Sequence, residues 1–486
     1  MIRPTLEEAK RLSKGHSVIP VALEILSDLT TPIQLLQAIR RESDLWYILE
    51  SVSGSDNWGR YSFLGYSPVV SAYGTGNEIT ITDGKTVVHK TADPVTVVRE
   101  LTAQCNSPRI PYLPPFTGGL VGYFSYDFVQ HFIPSLNLEA ENTEGFRDFH
   151  VMRMDKIIAF DHFQQKIFII VNIPTANLEH SYITGVTELK DMERMIFQPP
   201  VMAREASGPR GPFSPTFTPE EFGDMVRSVQ GHIREGDIFQ AVLSNRFQAP
   251  FEGSLMNTYR MLRTTSPSPY MCYMHLDDME FVCSSPETLI SLRDGVVGSF
   301  PLAGTCPRGA TEEEDTALID ALLHDEKELS EHDMLVDLAR NDIGKVCRYG
   351  SVQVKEYRQI KRFSNVSHIA SHVTGQLREG MDAIDVIAAA LPAGTLSGAP
   401  KKRACEIIDR AEKIKRGVYG GAIGYIDFAG NMDMCIGIRM ACLKDGKVSV
   451  QSGAGIVADS VPEKEYQETQ NKARGVMAAL QRGGEV

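Results

Sequence analysis

The chain has 486 residues, a formal net charge of −13 and 42% hydrophobic residues, which is enough for a large core or for two or three domains of ordinary size. The acidic balance, without a basic stripe, excludes a nucleic-acid surface and means that an anionic substrate needs a local cation cluster or a metal. The eight cysteines are scattered, no apolar run reaches membrane length and the N-terminus lacks a signal-peptide pattern, so we expect a cytoplasmic protein with reduced thiols.

The N-terminal segment, residues 1–197, is rich in predicted strands. Short or alternating apolar runs bounded by Gly, Asn, Asp or Pro occur in WYILESV, EITITDG, TVVHK and KIFIIVNI. Helices are predicted near residues 31–41, 94–104 and 177–196.

A linker is predicted over residues 198–217, which are dense in Pro, Gly and Ser. It ends at a helix start, since Thr218 can act as N-cap, Pro219 suits the first helical position and Glu221 completes a capping box. The chain therefore divides into segments 1–197 and 218–486, although sequence segments need not be spatial domains.

The C-terminal segment, residues 218–486, mixes both element types. The predicted strands are FQAVLSNRF, YMCYMHL, EFVCSSPETLISL, GGAIGYIDF, MDMCIGIRMACL and KVSVQSGAGIVA, and the predicted helices span residues 219–234, 312–342, 381–391, 400–413 and 462–481. Because strands rarely alternate one for one with helices, we expect an α+β fold with mostly antiparallel sheets covered by helices. GGLVGYFSYD (118–127) and GGAIGYIDFA (420–429) are either an internal repeat or a coincidence of two glycine-led strands.

Two glutamate pairs suggest a metal site. Glu328 with Glu331, and Glu465 with Glu468, have the three-residue spacing that places both side chains on one helix face. Two such faces meeting in a cleft would offer hard oxygen ligands, which suit Mg²⁺. The alternative is that both pairs are solvated helix faces, and Glu328 could instead close a capping box with Asp325.

The helix that follows Val461 carries Lys472 on the same stripe as Glu465 and Glu468. Just before it, Gly453-Ala454-Gly455 is interpreted as a turn whose backbone can approach an anion closely. A lone Gly-x-Gly is a weak signal, but here it lies within twenty residues of a cation and two carboxylates.

Arg439 is interpreted as a strand residue within MDMCIGIRM, on a face of small residues where a ligand could lie. Arginine can hold a carboxylate through two parallel hydrogen bonds, although a strand arginine usually points to solvent. Tyr419, before a double glycine, could add a hydroxyl donor.

Two further polar residues remain ambiguous from the sequence alone. His368 and His372 are four residues apart, but no third ligand is near, which excludes a zinc site. His368 is either a structural histidine or a general acid or base. Thr395 lies in a Gly-rich turn without a P-loop lysine, so nucleotide binding is excluded and Thr395 is a pocket hydroxyl or a turn residue.

These motifs resemble the chorismate-utilising enzymes, and among them the large subunits of anthranilate synthase. The resemblance spans nearly the whole chain and rests on ILES, WGRYSFLG, GGLVGYFSYD, GDIFQAVLSNRF, SPSPYM, SSPETL, PLAGTCPRG, EHDMLVDLARND, PAGTLSGAPK, GGAIGY and SGAGIVADSVPEKEYQETQNKA. It implies a four-layer α/β/β/α body with two orthogonal, mostly antiparallel sheets flanked by helices.

The resemblance also implies the site. Chorismate would be the substrate and Mg²⁺ the cofactor, with Glu331 and Glu468 as ligands and Glu328 and Glu465 completing the acidic site. Glu328 would protonate the departing hydroxyl, His368 would serve the loss of pyruvate, and Thr395 would line the pocket. The residues implied to contact chorismate are Gly304, Thr305, Tyr419, Arg439, Gly453, Ala454, Gly455 and Lys472.

Two positions distinguish this chain from its relatives. Aminodeoxychorismate synthases carry a nucleophilic Lys where this chain has Ala303, and isochorismate and salicylate synthases carry a water-activating Lys where it has Gln240. Both differences favour direct attack by ammonia. The alternatives are an aminodeoxychorismate synthase component, distinguished by its product, and an inactive sensor or scaffold, which intact Glu331 and Glu468 oppose.

The resemblance further implies partners and regulation. No G-x-C-x-G motif or triad for glutamine hydrolysis is found, so ammonia would come from a separate glutaminase subunit or be used free. Tryptophan would inhibit through a site in both segments, whose implied residues are Glu50, Ser51, Arg60, Pro269, Tyr270, Met271, Tyr425 and Cys435.

Overall fold

The computed structural model describes residues 1–51, 59–197, 206–362 and 366–484. Within these ranges the helices are α1 Leu6–Leu12, α2 Pro32–Glu42, α3 Pro94–Ala103, α4 Val129–Phe132, α5 Leu178–Phe197, α6 Pro219–Arg234, α7 Met256–Thr265, α8 Glu312–Leu323, α9 Glu326–Gly344, α10 Ala383–Ala390, α11 Lys401–Glu412 and α12 Pro462–Gly483. Short 3₁₀ turns span Tyr126–Phe128 and Gly394–Leu396. No described helix is long and apolar enough to cross a membrane.

The strands of the described ranges are β1 Ile2–Arg3, β2 Val18–Leu26, β3 Leu45–Glu50, β4 Tyr61–Tyr66, β5 Val70–Thr75, β6 Glu78–Thr82, β7 Val87–Thr91, β8 Gly119–Phe124, β9 Phe149–Met154, β10 Lys156–Asp161, β11 Lys166–Pro174, β12 Gly208–Pro209, β13 Ser214–Pro215, β14 Gln240–Glu252, β15 Tyr270–Leu276, β16 Met279–Ser285, β17 Thr288–Arg293, β18 Val296–Ser299, β19 Leu302–Pro307, β20 Gln353–Arg362, β21 Val366–Gln376, β22 Gly398–Ala399, β23 Ala422–Asp427, β24 Met432–Ile436, β25 Met440–Lys444 and β26 Lys447–Ile456.

The strands form two large antiparallel sheets. The first sheet has the order β1-β2-β11-β10-β4-β3-β15-β16-β25-β26-β14-β12, and β13 and β22 also pair with β14. The second has the order β19-β21-β18-β17-β24-β23-β8-β9-β5-β6-β7, and β20 also pairs with β21. The expected α+β fold with antiparallel sheets is confirmed.

Both chain segments contribute to both sheets. In the first sheet they meet where β3 pairs with β15, and in the second where β23 pairs with β8. The two glycine-led stretches noted in the sequence are this second junction, where Gly424 stands opposite Gly122. A Cβ on either glycine would lie about 2.0 Å from a carbonyl oxygen of the next strand, so only glycine fits. The division into 1–197 and 218–486 therefore does not produce two separate bodies.

Alternation along the strands gives each sheet two buried faces. Tyr47 and Leu49 of β3 pack in one apolar cluster with Val121 of β8, between the sheets. Trp46 and Ile48, on the opposite face of β3, pack in a second cluster with residues of α2, α5 and α7. On the outer side of the second sheet lie α3, α9 and α10. Helices thus cover the faces of the two sheets that do not pack against each other.

Most predicted elements are confirmed, with α2, α3, α5, α6, α10, α11 and α12 within a few residues of their predicted bounds. The Thr218 and Glu221 capping box is present, and α6 begins at Pro219. The helix predicted over 312–342 is instead two helices, since His324 and Asp325 separate α8 from α9. Part of the predicted linker, residues 198–205, lies outside the described residues, and the rest contains β12 and β13, which pair with β14.

Three sequence interpretations are corrected by the strand topology. The run EFVCSSPETLISL is not one strand, because β16 belongs to the first sheet and β17 to the second. The run MDMCIGIRMACL is not one strand: β24 belongs to the second sheet and β25 to the first, and Arg439 lies in the crossover with φ 52°. Gly453-Ala454-Gly455 is not a turn, because it continues β26 opposite residues 242–244 of β14.

Candidate active site and regulatory cavity

A cationic corner forms where the crossover before β25 meets β26 and α12. The guanidinium of Arg439 donates to the carbonyl oxygen of Lys472 at 2.6 Å, and the ammonium of Lys472 donates to the carbonyl oxygen of Gly453 at 3.1 Å. Arg439 is exposed and Lys472 is half-buried, so both charges border an opening to solvent. Two cations at an open rim are suited to hold a carboxylate.

The glycines of β26 make room at this corner. A Cβ on Gly453 would lie 2.9 Å from the hydroxyl of Tyr419, and a Cβ on Gly455 would lie 2.9 Å from the side-chain nitrogen of Gln240. Larger residues would displace both polar groups. Gly453, Gly455, Tyr419, Arg439 and Lys472 are thus brought together as the sequence predicts.

The two glutamate pairs lie on α9 and α12, as predicted. Glu328, Glu465 and Glu468 are half-buried, whereas Glu331 is exposed. Burial, reinforced by the charge of the second carboxylate of its pair, raises the pKa of both Glu328 and Glu465. The carboxylate of Glu328 does not take part in a capping box. The side chain of Asp325 accepts hydrogen bonds from the backbone of α9, but the N–H of Asp325 donates to the carbonyl oxygen of Leu322.

The donor set of these pairs fits a hard cation. Four carboxylates in two pairs on two helices, three of them half-buried, would be stabilised by a divalent metal. The pairs are not drawn into a closed cluster, because in the described part of the chain only His232, Glu235 and Asp237 gather three ligand atoms within 4.8 Å. Glu468 is also paired with Lys472 at 2.6 Å, so a cation would compete with this ammonium.

Gly304, Thr305 and His368 come together where β19 pairs with β21. The hydroxyl of Thr305 lies 2.9 Å and the carbonyl oxygen of Gly304 lies 3.1 Å from Nδ1 of His368. A carbonyl only accepts, so Nδ1 carries the proton and Nε2 the lone pair. Burial lowers the pKa of His368, which favours the neutral ring that a general base requires. Gly304 forms a bulge with φ 71°, a conformation suited to glycine.

One residue of the site was missed by the sequence reasoning. The carboxylate of Glu287, at the start of β17, accepts a hydrogen bond of 3.0 Å from Thr395. Burial raises the pKa of Glu287 to about 7, although the Thr395 bond and the charge of Lys472 act in the opposite direction. A carboxyl group poised near neutrality is the ordinary property of a general acid. The available signal was weak, since Glu287 is one of two acidic residues, with Glu280, in the mostly apolar stretch EFVCSSPETLISL.

Electrostatic contacts show that these parts share one region. The charge of Lys327 on α9 acts on Glu465 of α12, so the two helices that carry the glutamate pairs border the same region. Arg439 acts on His368, and Lys472 acts on Glu287. The structure therefore assembles a carboxylate-binding corner, an acidic face, a neutral imidazole and a carboxyl of raised pKa.

A separate cavity of about 340 Å³ lies between the two sheets at the junction of β3 with β15. We call it the regulatory cavity after the regulatory site that the sequence resemblance implies. Of the eight residues expected in a regulatory site, six line it: Glu50, Ser51, Pro269, Tyr270, Met271 and Tyr425. Its walls come from both chain segments. The sequence did not indicate Arg293, Lys355 and His372, which also line it.

The lining residues of the regulatory cavity differ in how they are held. The carboxylate of Glu50 accepts from Ser62, Tyr259 and Arg263, so it is held away from the cavity and only the rest of the residue lines it. The hydroxyl of Ser51 is buried and, among the described residues, has no hydrogen-bond partner.

Two residues expected in the regulatory site do not line the cavity. Arg60 is bonded to Asp161 at 2.6 Å at the end of β10. Cys435 is fully buried beside Cys272, which itself lines the cavity. Both positions support the surrounding walls and do not contact the cavity space.

Comparison with known proteins gives consistent matches along the whole chain. The family model for the chorismate binding enzyme matches residues 53–478. Anthranilate synthase component 1 of Acetivibrio thermocellus is 43% identical over 100% of both chains, and that of Pseudomonas aeruginosa is 44% identical over 98% of both.

Solved structures agree with the sequence matches. Anthranilate synthase component I from Streptococcus pneumoniae TIGR4 aligns with a TM-score of 0.78 and 35% identity, over 93% of this chain and 99% of that chain. The menaquinone-specific isochorismate synthase MenF from Escherichia coli, 18% identical with a TM-score of 0.72, shares the fold.

Proposed function

Because the chain belongs to the family of chorismate-binding enzymes, we propose that it is the aminating subunit of an anthranilate synthase. In this proposal it converts chorismate and ammonia to anthranilate and pyruvate, the first committed step of tryptophan biosynthesis, and it acts in the cytoplasm. The observation that carries the proposal is the cationic corner of Arg439 and Lys472, whose charges act on the neutral imidazole of His368 and on the carboxyl of Glu287. Full-length identity to anthranilate synthase component 1 proteins supports it.

The cationic corner suits one of the two carboxylates of chorismate. Arg439 and Lys472 supply charge, Tyr419 supplies a hydroxyl, and residues 453–455 let the ligand approach the backbone. The second carboxylate would face the glutamates of α9 and α12, which repel it unless a cation intervenes.

Glu331 and Glu468 would hold Mg²⁺, with Glu328 and Glu465 completing the acidic site. The bound ion would supply charge neutralisation and orientation for the ring carboxylate. Lys472 would then be released from Glu468, to which it is paired at 2.6 Å, and become available to the substrate.

Two residues handle the proton steps. Ammonia adds to the ring and hydroxide must leave as water, which needs a proton donor. We assign this role to Glu287 in preference to Glu328, because burial raises the pKa of Glu287 to about 7 and Thr395 fixes its carboxylate. His368, neutral and with its lone pair on Nε2, would take the ring proton when the enolpyruvyl group leaves as pyruvate.

Two neutral side chains favour ammonia as the nucleophile. Ala303 cannot form a covalent adduct with the ring, and Gln240 is a poor base for activating water. The relatives are named component 1, which implies a second component, and a glutaminase subunit would supply ammonia from glutamine. Tryptophan would occupy the regulatory cavity, where the Ser51 hydroxyl lacks a partner among the described residues and the size suits a ligand with an indole ring.

The direct test is an assay of the purified chain with chorismate, Mg²⁺ and ammonium. Anthranilate fluorescence and pyruvate are counted in parallel, and equal amounts that disappear with EDTA are expected. An aminated product without pyruvate would instead indicate aminodeoxychorismate synthesis. The absence of any product in the presence of ammonium would contradict the proposal.

A further inference from the structure

The regulatory cavity and the acid Glu287 are separated by one wall. A second cavity, of about 50 Å³, lies beside Glu287 and is bounded by Thr288, Thr395 and residues of α9 and α10. Phe300 lines both cavities, and β17 runs between them. Residues on this strand can therefore contact the regulatory cavity on one side and the active site on the other.

A hydrogen-bond chain crosses this wall. The hydroxyl of Tyr270, a lining residue of the regulatory cavity, donates to the carboxylate of Asp433 at 2.8 Å. Its oxygen lies 2.9 Å from the hydroxyl of Thr288. Because Tyr270 has a single proton and gives it to Asp433, Thr288 is the donor to Tyr270.

Thr288 follows Glu287 in the chain, and their side chains have different hydrogen-bond partners: Tyr270 for Thr288 and Thr395 for Glu287. The side chain of Glu287 is held by Thr395 at 3.0 Å, and its carbonyl oxygen accepts from the N–H of Ile436 at 3.1 Å. The pairing of β17 with β24 shifts register between Thr288 and Ile290. Such an irregularity interrupts the ladder hydrogen bonds between the strands, so the side-chain bonds of these two neighbours help to fix the strand there.

We propose that the Tyr270–Thr288 hydrogen bond positions the carboxyl of Glu287, and that an amino acid bound in the regulatory cavity acts on the reaction through this bond. The inference rests on the proposed function and extends it. Tyr270 and Thr288 are positioning residues, since they reach the reacting atoms only through Glu287. An occupant that shifts the ring of Tyr270 removes the anchor of Thr288, and the carboxyl of Glu287 then leaves Thr395.

The variant that isolates the coupling is Thr288→Val, which removes the hydroxyl and keeps the shape. Thr288 does not line the regulatory cavity, so its loss leaves tryptophan binding in place. Thr288→Ser restores a hydroxyl, and Tyr270→Phe removes the other partner. Tyr123→Phe is the matched control, because it deletes a buried tyrosine hydroxyl that donates to the carbonyl of Arg147 at 3.2 Å, away from β17.

Two readouts are taken on the full chain with ammonium as nitrogen donor. The first is kcat against pH with free ammonia held constant. The second compares tryptophan binding, by equilibrium dialysis, with tryptophan inhibition. The charged groups near the wall stay unchanged in every variant: Lys472 of α12, Asp342 of α9 with its partners Lys345 and Lys401, and Asp433 of β24 with Arg293 at 3.7 Å.

A general acid must be protonated, so kcat falls as pH rises through the pKa of Glu287. When the carboxyl leaves Thr395 it loses a hydrogen bond that lowers its pKa, but it also becomes more hydrated. Because burial is the largest influence on this pKa, the gain in hydration outweighs the lost bond and the alkaline limb moves to lower pH. We expect a shift of at least about half a pH unit in Thr288→Val and Tyr270→Phe, with the chorismate KM within about twofold. Thr288→Val should bind tryptophan as wild type does but need at least about tenfold more for inhibition. Thr288→Ser should recover both properties, and Tyr123→Phe should change neither.

The coupling is overturned if the alkaline limb of kcat against pH does not shift in Thr288→Val, or if tryptophan inhibits this variant as strongly as it inhibits the wild type. Equal disruption by Tyr123→Phe, which would indicate a merely structural effect, overturns it as well. If Thr288→Val does not fold, the same limits apply to Tyr270→Phe, judged by kcat against pH and by inhibition corrected for its measured tryptophan affinity. Failure of the proposed function is seen separately, as wild-type protein that forms no anthranilate, and it overturns both.

Discussion

The hydrogen bond from Thr395 to Glu287 permits a quantitative prediction about pH. Thr395→Val keeps the shape of the side chain but removes the hydroxyl that donates to the carboxylate at 3.0 Å. This bond favours the charged form of Glu287 and therefore lowers its pKa. After its loss only the charge of Lys472 opposes the effect of burial, so the pKa of Glu287 should rise further above about 7.

The expected size follows from the energy of a hydrogen bond to a charged group. Such a bond is worth about 1.5–3 kcal/mol, and one pKa unit corresponds to about 1.4 kcal/mol, so the pKa should rise by about one to two units. A general acid works while protonated, so the alkaline limb of kcat should move to higher pH by that amount. This direction is opposite to the one expected for the Tyr270 and Thr288 variants, which release the carboxyl instead of only removing its donor.

The assay is kcat from about pH 6 to about pH 9, with saturating chorismate and constant free ammonia. Thr395→Ser is the control, because it retains the donor and should keep the wild-type limb. The maximal kcat of Thr395→Val should fall as well, since the hydroxyl lines the pocket. A limb that stays in place, or that moves to lower pH, would refute the assignment of Glu287 as the acid.

Three further substitutions test the site and its support. Gly304→Ala should lower kcat at least about tenfold by displacing the imidazole, because Gly304 has φ 71° and a Cβ there would lie 3.1 Å from the facing strand. Gly295→Ala, at φ 76° but in open space, should leave kcat unchanged, and circular dichroism checks the folding of both variants. Glu412→Gln, which leaves a buried arginine unpaired, should lower the free energy of unfolding in urea by about 3–5 kcal/mol, and equal stability would contradict this reasoning. Glu331→Gln should raise the half-saturating Mg²⁺ concentration at least about tenfold. The exposed Glu463→Gln serves as the control for both glutamate variants.

Local signals in the sequence predicted helix positions well. The start of α6 follows from the capping box of Thr218 and Glu221, which satisfies backbone donors regardless of the rest of the fold. The spacing of Glu465, Glu468 and Lys472 likewise places them on one face of α12, and the ion pair of Glu468 with Lys472 agrees with it.

Sheet membership could not be read from the same signals. A continuous apolar run such as MDMCIGIRMACL looks like one strand, because both β24 and β25 are buried and the change of sheet at Arg439 leaves no periodic trace. Gly453 and Gly455 were interpreted as a turn because glycine is common in turns. In the structure they lie in a strand, where the lack of a side chain leaves room for Tyr419 and Gln240. Glu287 was missed for a related reason, since its raised pKa depends on burial by elements distant in sequence.

The two junctions between the chain segments govern how the protein can be made. The edge of β3 is covered only by β15, and the edge of β8 only by β23, so strands finished early in synthesis keep open edges until some 220 to 300 residues later emerge. Pairings of such high sequence separation form slowly, and exposed edges in the meantime invite association with other chains. The nascent N-terminal segment therefore carries unpaired strand edges through more than about 200 residues of further synthesis. Conversely, two fragments divided within residues 198–205 carry matching edges, through which they can reassemble after separate expression.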